Sequence, residues 1–238
     1  MTRTAGHAVA IVLLVALSVG ASAQQTYNYT LSAKSLGIKE QNVGTSYQSD
    51  VWGDGGNLSL SAVSKIGQPG LPNGQTGTIY LDDLGGGVQN LLRGGSTGIS
   101  GGGPDGDESL IFSFTKMPIV ATSPTLLLNA YKPKDDDTEI VVTLADGSVV
   151  NVPVSSVEGA AKQVAGLKES YTVAFSDLAE LAGKGPLSSF YVREWTGHIL
   201  VNGLTGVQQV PEPATMVGFA LGAFGLGYLR RRRQRSRS

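Results

Sequence analysis

The chain has 238 residues, 41% hydrophobic and 16% charged, with a formal net charge of −1 and no cysteine. The missing thiol excludes a disulfide framework, thiol catalysis and an N-terminal lipidated cysteine. The near-neutral charge is a composite: residues 24–209 hold 11 Lys and Arg against 18 Asp and Glu, a net charge of −7, while six arginines crowd the last nine residues. An acidic domain repels polyanions, so nucleic acid is not an expected partner.

At the N-terminus, Arg3 precedes an apolar run from Ala8 to Val19, and Ala21-Ser22-Ala23 supplies the small-x-small pattern of a signal peptidase site. The run falls short of the ~20 residues that span a bilayer. A signal peptide over 1–23 is expected, with cleavage marked by Ala21 and Ala23, followed by an ectodomain over 24–209.

The ectodomain reads as short strands separated by Gly, Pro and Asp turns. Residues 57–64 and 109–115 alternate apolar and small polar side chains, with Leu110, Phe112 and Phe114 on one face. Segments 125–131 and 138–144 are expected to pair across Lys132–Asp137. Ala145-Asp146-Gly147-Ser148 then turns into a strand over 149–154, because Gly accepts the positive φ of a tight hairpin. Further strands are predicted at 27–33, 77–81, 171–175, 188–194 and 199–202. A short helix is expected over 176–183, with Asp177 and Glu180 at capping-box spacing and Gly183 at the C-cap, and a weaker one at 156–165. About ten short strands predict an all-β, antiparallel β-sandwich with jelly-roll-like topology.

The Gly-rich segment 93–108 contains formal matches to G-x-S-x-G and G-x-G-x-x-G. Neither is followed by the helix that a nucleophile elbow or a dinucleotide loop requires. Its acidic end, Asp105, Asp107 and Glu108, is the candidate calcium site, since calcium takes six to eight oxygen ligands from flexible loops. Solvated acidic turns that protect sheet edges are the competing reading of this cluster and of Asp50, Asp54 and Asp135–Asp137. No other cofactor is expected. The ectodomain has one histidine, His198, and no spacing singles out a catalytic pair, so an enzyme is not expected. A glycosidase-like pair of carboxylates stays open as an alternative. Trp52 and Trp195, with Tyr131 and Tyr191, are candidates for an aromatic platform under sugar rings, against the plainer reading of core and rim aromatics.

The tail, 210–238, is distinct from everything before it. Pro211-Glu212-Pro213 offers extended backbone without amide donors at the prolines. Residues 214–229 carry no charge. As a helix they reach about 24 Å at 1.5 Å per residue, a thin transmembrane span that snorkelling arginines can complete. Arg230, Arg231, Arg232 and Arg233 head an Arg-rich tail, 230–237, that should hold that end in the cytoplasm.

Pro211-Glu212-Pro213, the following Ala214-Thr215, the Gly-rich apolar stretch and the terminal arginines closely resemble the PEP-CTERM sorting signal of exported bacterial proteins. The resemblance implies recognition by an exosortase, an integral membrane enzyme credited with cutting near Pro-Glu-Pro in that family. It also implies transient anchoring by the C-terminal helix, then placement at the cell surface or outside the cell, alongside extracellular polysaccharide. The expectation is an exported surface or matrix protein with a structural, adhesive or glycan-associated role; the alternative is a secreted carbohydrate-binding or carbohydrate-active protein.

Overall fold

The structure is a computed structural model that describes residues 25–64, 75–89, 98–101 and 108–210. The expected signal peptide, Asp105, Asp107, and the tail from Pro211 through the expected span and arginines lie outside the described residues. Among those described, no helix is long and apolar enough to cross a membrane.

In chain order the strands are β1 (Thr26–Thr30), β2 (Gln41–Gly44), β3 (Ser46–Tyr47), β4 (Leu58–Ser64), β5 (Gln75–Thr76), β6 (Thr78–Leu81), β7 (Gly86–Gln89), β8 (Ile99–Gly101), β9 (Glu108–Phe114), β10 (Thr125–Asn129), β11 (Thr138–Leu144), β12 (Val149–Val152), β13 (Ala161–Gln163), β14 (Ser170–Ala174), β15 (Leu187–Glu194) and β16 (Gly197–Gln208). They form two antiparallel sheets. The larger runs β13-β14-β10-β16-β7-β6-β2, with β1 and β8 also on β16; the smaller runs β12-β11-β15-β9-β4-β3, with β5 on β4. β16 is the hub of the larger sheet, pairing with β10, β8, β7 and β1 along its 12 residues.

The sheets share one core because each strand sends alternate side chains inward. The smaller sheet contributes Leu58, Leu60, Leu110, Phe112, Ile140, Val142, Phe190 and Val192; the larger contributes Ile79, Leu81, Leu126, Leu128, Val173, Val201 and Leu204. The rings of Phe112 and Phe190 stack at 4.6 Å across β9 and β15, and Phe175, on the turn after β14, meets Phe190 edge-on at 5.1 Å. Each fully buried ring of this kind contributes about 2–3 kcal/mol. This is the expected antiparallel, sandwich-like, all-β architecture.

Two local expectations need correction. Segments 125–131 and 138–144 are not partners. β10 pairs with β14 and β16, whereas β11 pairs with β12 and β15 in the other sheet. The connector over 130–137 crosses between the layers, and Ala130 takes a left-handed φ of 57° as it starts. Residues 176–183 form two 3-10 turns, Phe175–Asp177 and Ala179–Leu181, separated by an extended Leu178. The capping box does not close, since Asp177 takes Lys162 at 2.6 Å and Glu180 takes the Ser156 hydroxyl at 2.6 Å. The weaker helix is present as Val154–Ala160 and ends where β13 begins. The Asp-Gly hairpin holds as read: β11 and β12 pair in register, Gly147 has φ 85°, and Asp146 Oδ1 accepts from Ser148 N and Oγ at 2.9 and 2.6 Å.

Candidate functional site

Two arrangements of polar side chains stand out, one inside the end of the smaller sheet and one on its outer face. The alternation Phe190, Val192, Glu194 carries an acid into the core phase of β15. Glu194 is 0% exposed, and the Thr138 hydroxyl on β11 donates to its Oε2 at 2.6 Å, while Oε1 has no partner. Burial pushes its pKa up from 4.5 to about 8; the charge of Asp136 adds to this, against hydrogen bonds from Thr138 and the amides of Thr196 and Asp137. At neutral pH this carboxyl is therefore mostly protonated. Asp136 is also buried, and burial raises its pKa against the amides of Lys132 and His198 and the Lys132 charge. Its Oδ2 accepts from Lys132 N at 2.5 Å. Nearby, the pKa of the buried Tyr131 is raised by burial and then by Glu158, Glu194 and Asp136, against a hydrogen bond with Thr138. Asp137 N donates to Thr196 O at 3.2 Å and Asp137 O accepts from Trp195 N at 3.1 Å, so the connector 131–137 is clamped to the turn between β15 and β16. Gly197 makes that turn at φ 103°, against the Asp136 carboxyl, where a side chain would collide.

On the outer face, β15 presents Tyr191 and Arg193, and Trp195 follows them. Arg193 is 1% exposed and forms an ion pair through Nη2 with Glu139 of β11; Glu139 Oε2 also accepts from Trp195 Nε1 at 3.2 Å. The guanidinium lies 3.9 Å from the Trp195 ring centroid and 5.9 Å from that of Tyr191, within cation–π range. Arg193 Nε and Nη1 and the neighbouring Ser109 hydroxyl are buried without partners.

The residues expected to form sites are dispersed by this fold. Trp52 is 6% exposed on a 3-10 turn. It donates to Thr30 O at 3.0 Å and packs edge-on against Tyr29 and Tyr47, so it is a core residue and offers no platform. Tyr131 is likewise fully buried. Trp195 and Tyr191 remain half-buried on the outer face, apart from Trp52. Glu108 begins β9, 4% exposed and directly across from Glu194; its expected companions Asp105 and Asp107 lie outside the described residues. Among the described residues, no group of three or more His, Cys, Asp or Glu side chains is disposed to hold a metal. Asp54 is a cap: its two oxygens accept from Gly56 N at 2.9 Å and Leu58 N at 2.7 Å. His198 is exposed at the start of β16, its ring against Gly98. Glu194, Arg193 and Glu139 were not singled out by residue type. Their signal was strand phase, which puts Glu194 inward with Phe190 and Val192 and Arg193 outward with Tyr191.

No curated protein matches the chain. Among solved structures it is similar to a carbohydrate-binding module specific for non-crystalline cellulose, with 13% identity, 62% of this chain and 80% of that chain covered, and a TM-score of 0.25, a likeness too slight to bear on function. Residues 209–233 match the PEP-CTERM protein-sorting motif. That match contains Pro211, Glu212, Pro213 and Arg230–Arg233, and it begins where β16 ends at Gln208. The chain therefore carries a PEP-CTERM sorting signal immediately after its last strand.

Proposed function

We propose that this protein is exported, processed at its C-terminus by an exosortase, and left at the cell surface or in the extracellular matrix in a non-enzymatic structural, adhesive or glycan-associated role. The observation that carries this reading is the junction between domain and signal. Gln209 makes the last bridge, to Ile119, and the compact unit ends at Gln209. The sorting motif begins at that same residue. A cut near Pro211–Pro213 then releases every strand of the sandwich with its hydrogen bonds intact. Mass spectrometry of the cell-associated and released protein is expected to show a C-terminus within 211–214. Intact Ser238 in every fraction refutes the processing step.

The alternative, a secreted carbohydrate-binding or carbohydrate-active protein, is supported by the half-buried Tyr191 and Trp195 beside Arg193 and Glu139. It differs from the first reading in making sugar recognition the main task of the sandwich. The raised pKa of Glu194 does not favour catalysis, because a carboxyl with no exposure touches no substrate.

A further inference from the structure

We propose that the end of the smaller sheet that holds Glu194 is a latch kept shut by a proton. It is closed while this carboxyl is protonated and opens when the carboxyl ionises, drawing Trp195 away from Arg193.

The closed end has no place for a negative charge. Glu194 is the last residue of β15, Thr138 the first of β11, and the two pair with each other. Both are fully buried, and Glu194 Oε1 has no partner. Acids face this carboxyl from two sides. The buried Asp136 comes from the connector, and the buried Glu108 lies directly across on β9. Asp135 and Asp137, on the same connector, are exposed, and Glu158 of the helix Val154–Ala160 bears on the adjoining Tyr131. The nearby cations act elsewhere. Arg193 points to the opposite face and pairs with Glu139, while Lys132 bears on Asp136 and reaches Glu169 at 3.6 Å. His198 contributes only its backbone amide, to Asp136. An ionised Glu194 keeps its hydrogen bonds from Thr138 and two amides but gains neither a cation nor solvent.

The shortest route to solvent is the end of the sheet. Beyond the Thr138–Glu194 pair, closure rests on the two backbone bonds between Asp137 and the residues Trp195 and Thr196, with the Thr196 hydroxyl on Asp137 Oδ2 at 2.7 Å. Gly197 follows at φ 103°, a residue free to change its backbone dihedrals. Breaking these few bonds costs less than unfolding the sandwich. The amide of Trp195 is one of them, so opening also draws its ring from the guanidinium 3.9 Å away and from Glu139. Arg193 Nε and Nη1, buried without partners in the closed form, then become accessible. A proton inside the sheet thereby controls a cation on its outer face.

Linkage sets the sign and the size. A carboxyl whose pKa is about 8 when closed and 4.5 in water favours the open end tenfold per pH unit between those values, about 3,000-fold in all. The closed form is fully favoured below about pH 4.5, and the gain levels off above pH 8.

The test is amide hydrogen exchange by mass spectrometry on the full chain and on Glu194→Gln, in EDTA, at pH 5, 6.5, 8 and 9. Comparing the two proteins at one pH cancels the intrinsic pH dependence of exchange. Peptides over 135–139 and 193–198 are expected to exchange at similar rates in both proteins at pH 5, and at least a hundredfold faster in the natural protein at pH 8 and 9. In the natural protein these peptides should also outpace those over 110–113 and 140–143, from the middle of the same sheet. Asp136→Asn supplies a second comparison: with one neighbouring charge removed, the rise between pH 5 and pH 8 is expected to be smaller. A rise with pH that is the same in the natural protein and a folded variant overturns the control by Glu194. End peptides that exchange no faster than the central ones show that this end opens only with the whole sandwich, which overturns the latch.

Discussion

Replacing Glu194 by Gln separates the ionisation of a buried acid from its shape. Gln keeps the size of the side chain and an oxygen for the Thr138 hydroxyl, but it cannot ionise. In the natural protein the folded-state pKa is raised from 4.5 to about 8, chiefly by burial. A raised pKa means the folded state holds its proton more tightly, so the associated stability is fully present below about pH 4.5. It is lost progressively as pH rises to about 8. Each pKa unit is worth ~1.4 kcal/mol, so the ionisation penalty reaches about 3 kcal/mol at pH 7 and about 5 kcal/mol above pH 8. Glu194 has no exposed surface, so solvent screening does not reduce this figure appreciably. Urea unfolding of both proteins at pH 4.5, 7 and 9 is expected to give nearly equal stabilities at pH 4.5. Glu194→Gln should then be more stable by about 3 kcal/mol at pH 7 and about 5 kcal/mol at pH 9. The other groups titrate in both proteins, so the difference reports this carboxyl together with its coupling to Asp136. Parallel stability curves across that range refute the argument that burial controls its proton.

Three further outcomes follow from the same structure. Glu139→Ala should cost about 3–5 kcal/mol in denaturant unfolding, and more than Arg193→Met, because it strands a guanidinium that is 1% exposed. Arg193→Met leaves a carboxylate whose side chain is 16% exposed and can resolvate. Gly85→Ala should cost about 2–3 kcal/mol, since Gly85 sits at φ 152° and a Cβ would lie 2.6 Å from the Val201 carbonyl oxygen; a melting temperature equal to that of the natural protein would refute it. A chain ending at Val210 should melt within a few degrees of the full chain, whereas one ending at Gly203 should fail to fold, having lost the β16 residues that pair with most of β1.

Much of this architecture is written in side-chain alternation. Residues 138–144 and the Asp-Gly turn are legible because each local preference agrees with the final pairing. The pairing of β10 is not, because strands of both sheets alternate in the same way and eight intervening residues suffice to change layers. β7 and β8 are short and contain glycine; pairing with β6 and β16 makes β7 a strand and pairing with β16 makes β8 one, where local propensity does not. At the site level, the sorting signal is legible because order, spacing and composition are all confined to one segment. Trp52 and Trp195 show the opposite case. The residue type is the same, but Trp52 sits on a 3-10 turn with no periodicity to tell its direction. Trp195 inherits the outward phase of Tyr191 and Arg193. Asp54 resembles a metal ligand by composition and serves as a turn cap by geometry.

The place of β16 in the larger sheet has a consequence for the order of events in the cell. Every strand of the smaller sheet is synthesised by Glu194, but β1, β7, β8 and β10 all attach to residues 197–208. The larger sheet therefore has no complete arrangement until nearly the whole chain has emerged, and its long-range pairings form slowly. A chain broken off early can neither fold nor carry an address. Because the strand that completes the domain ends one residue before the sorting segment, compactness and the label for delivery are acquired together.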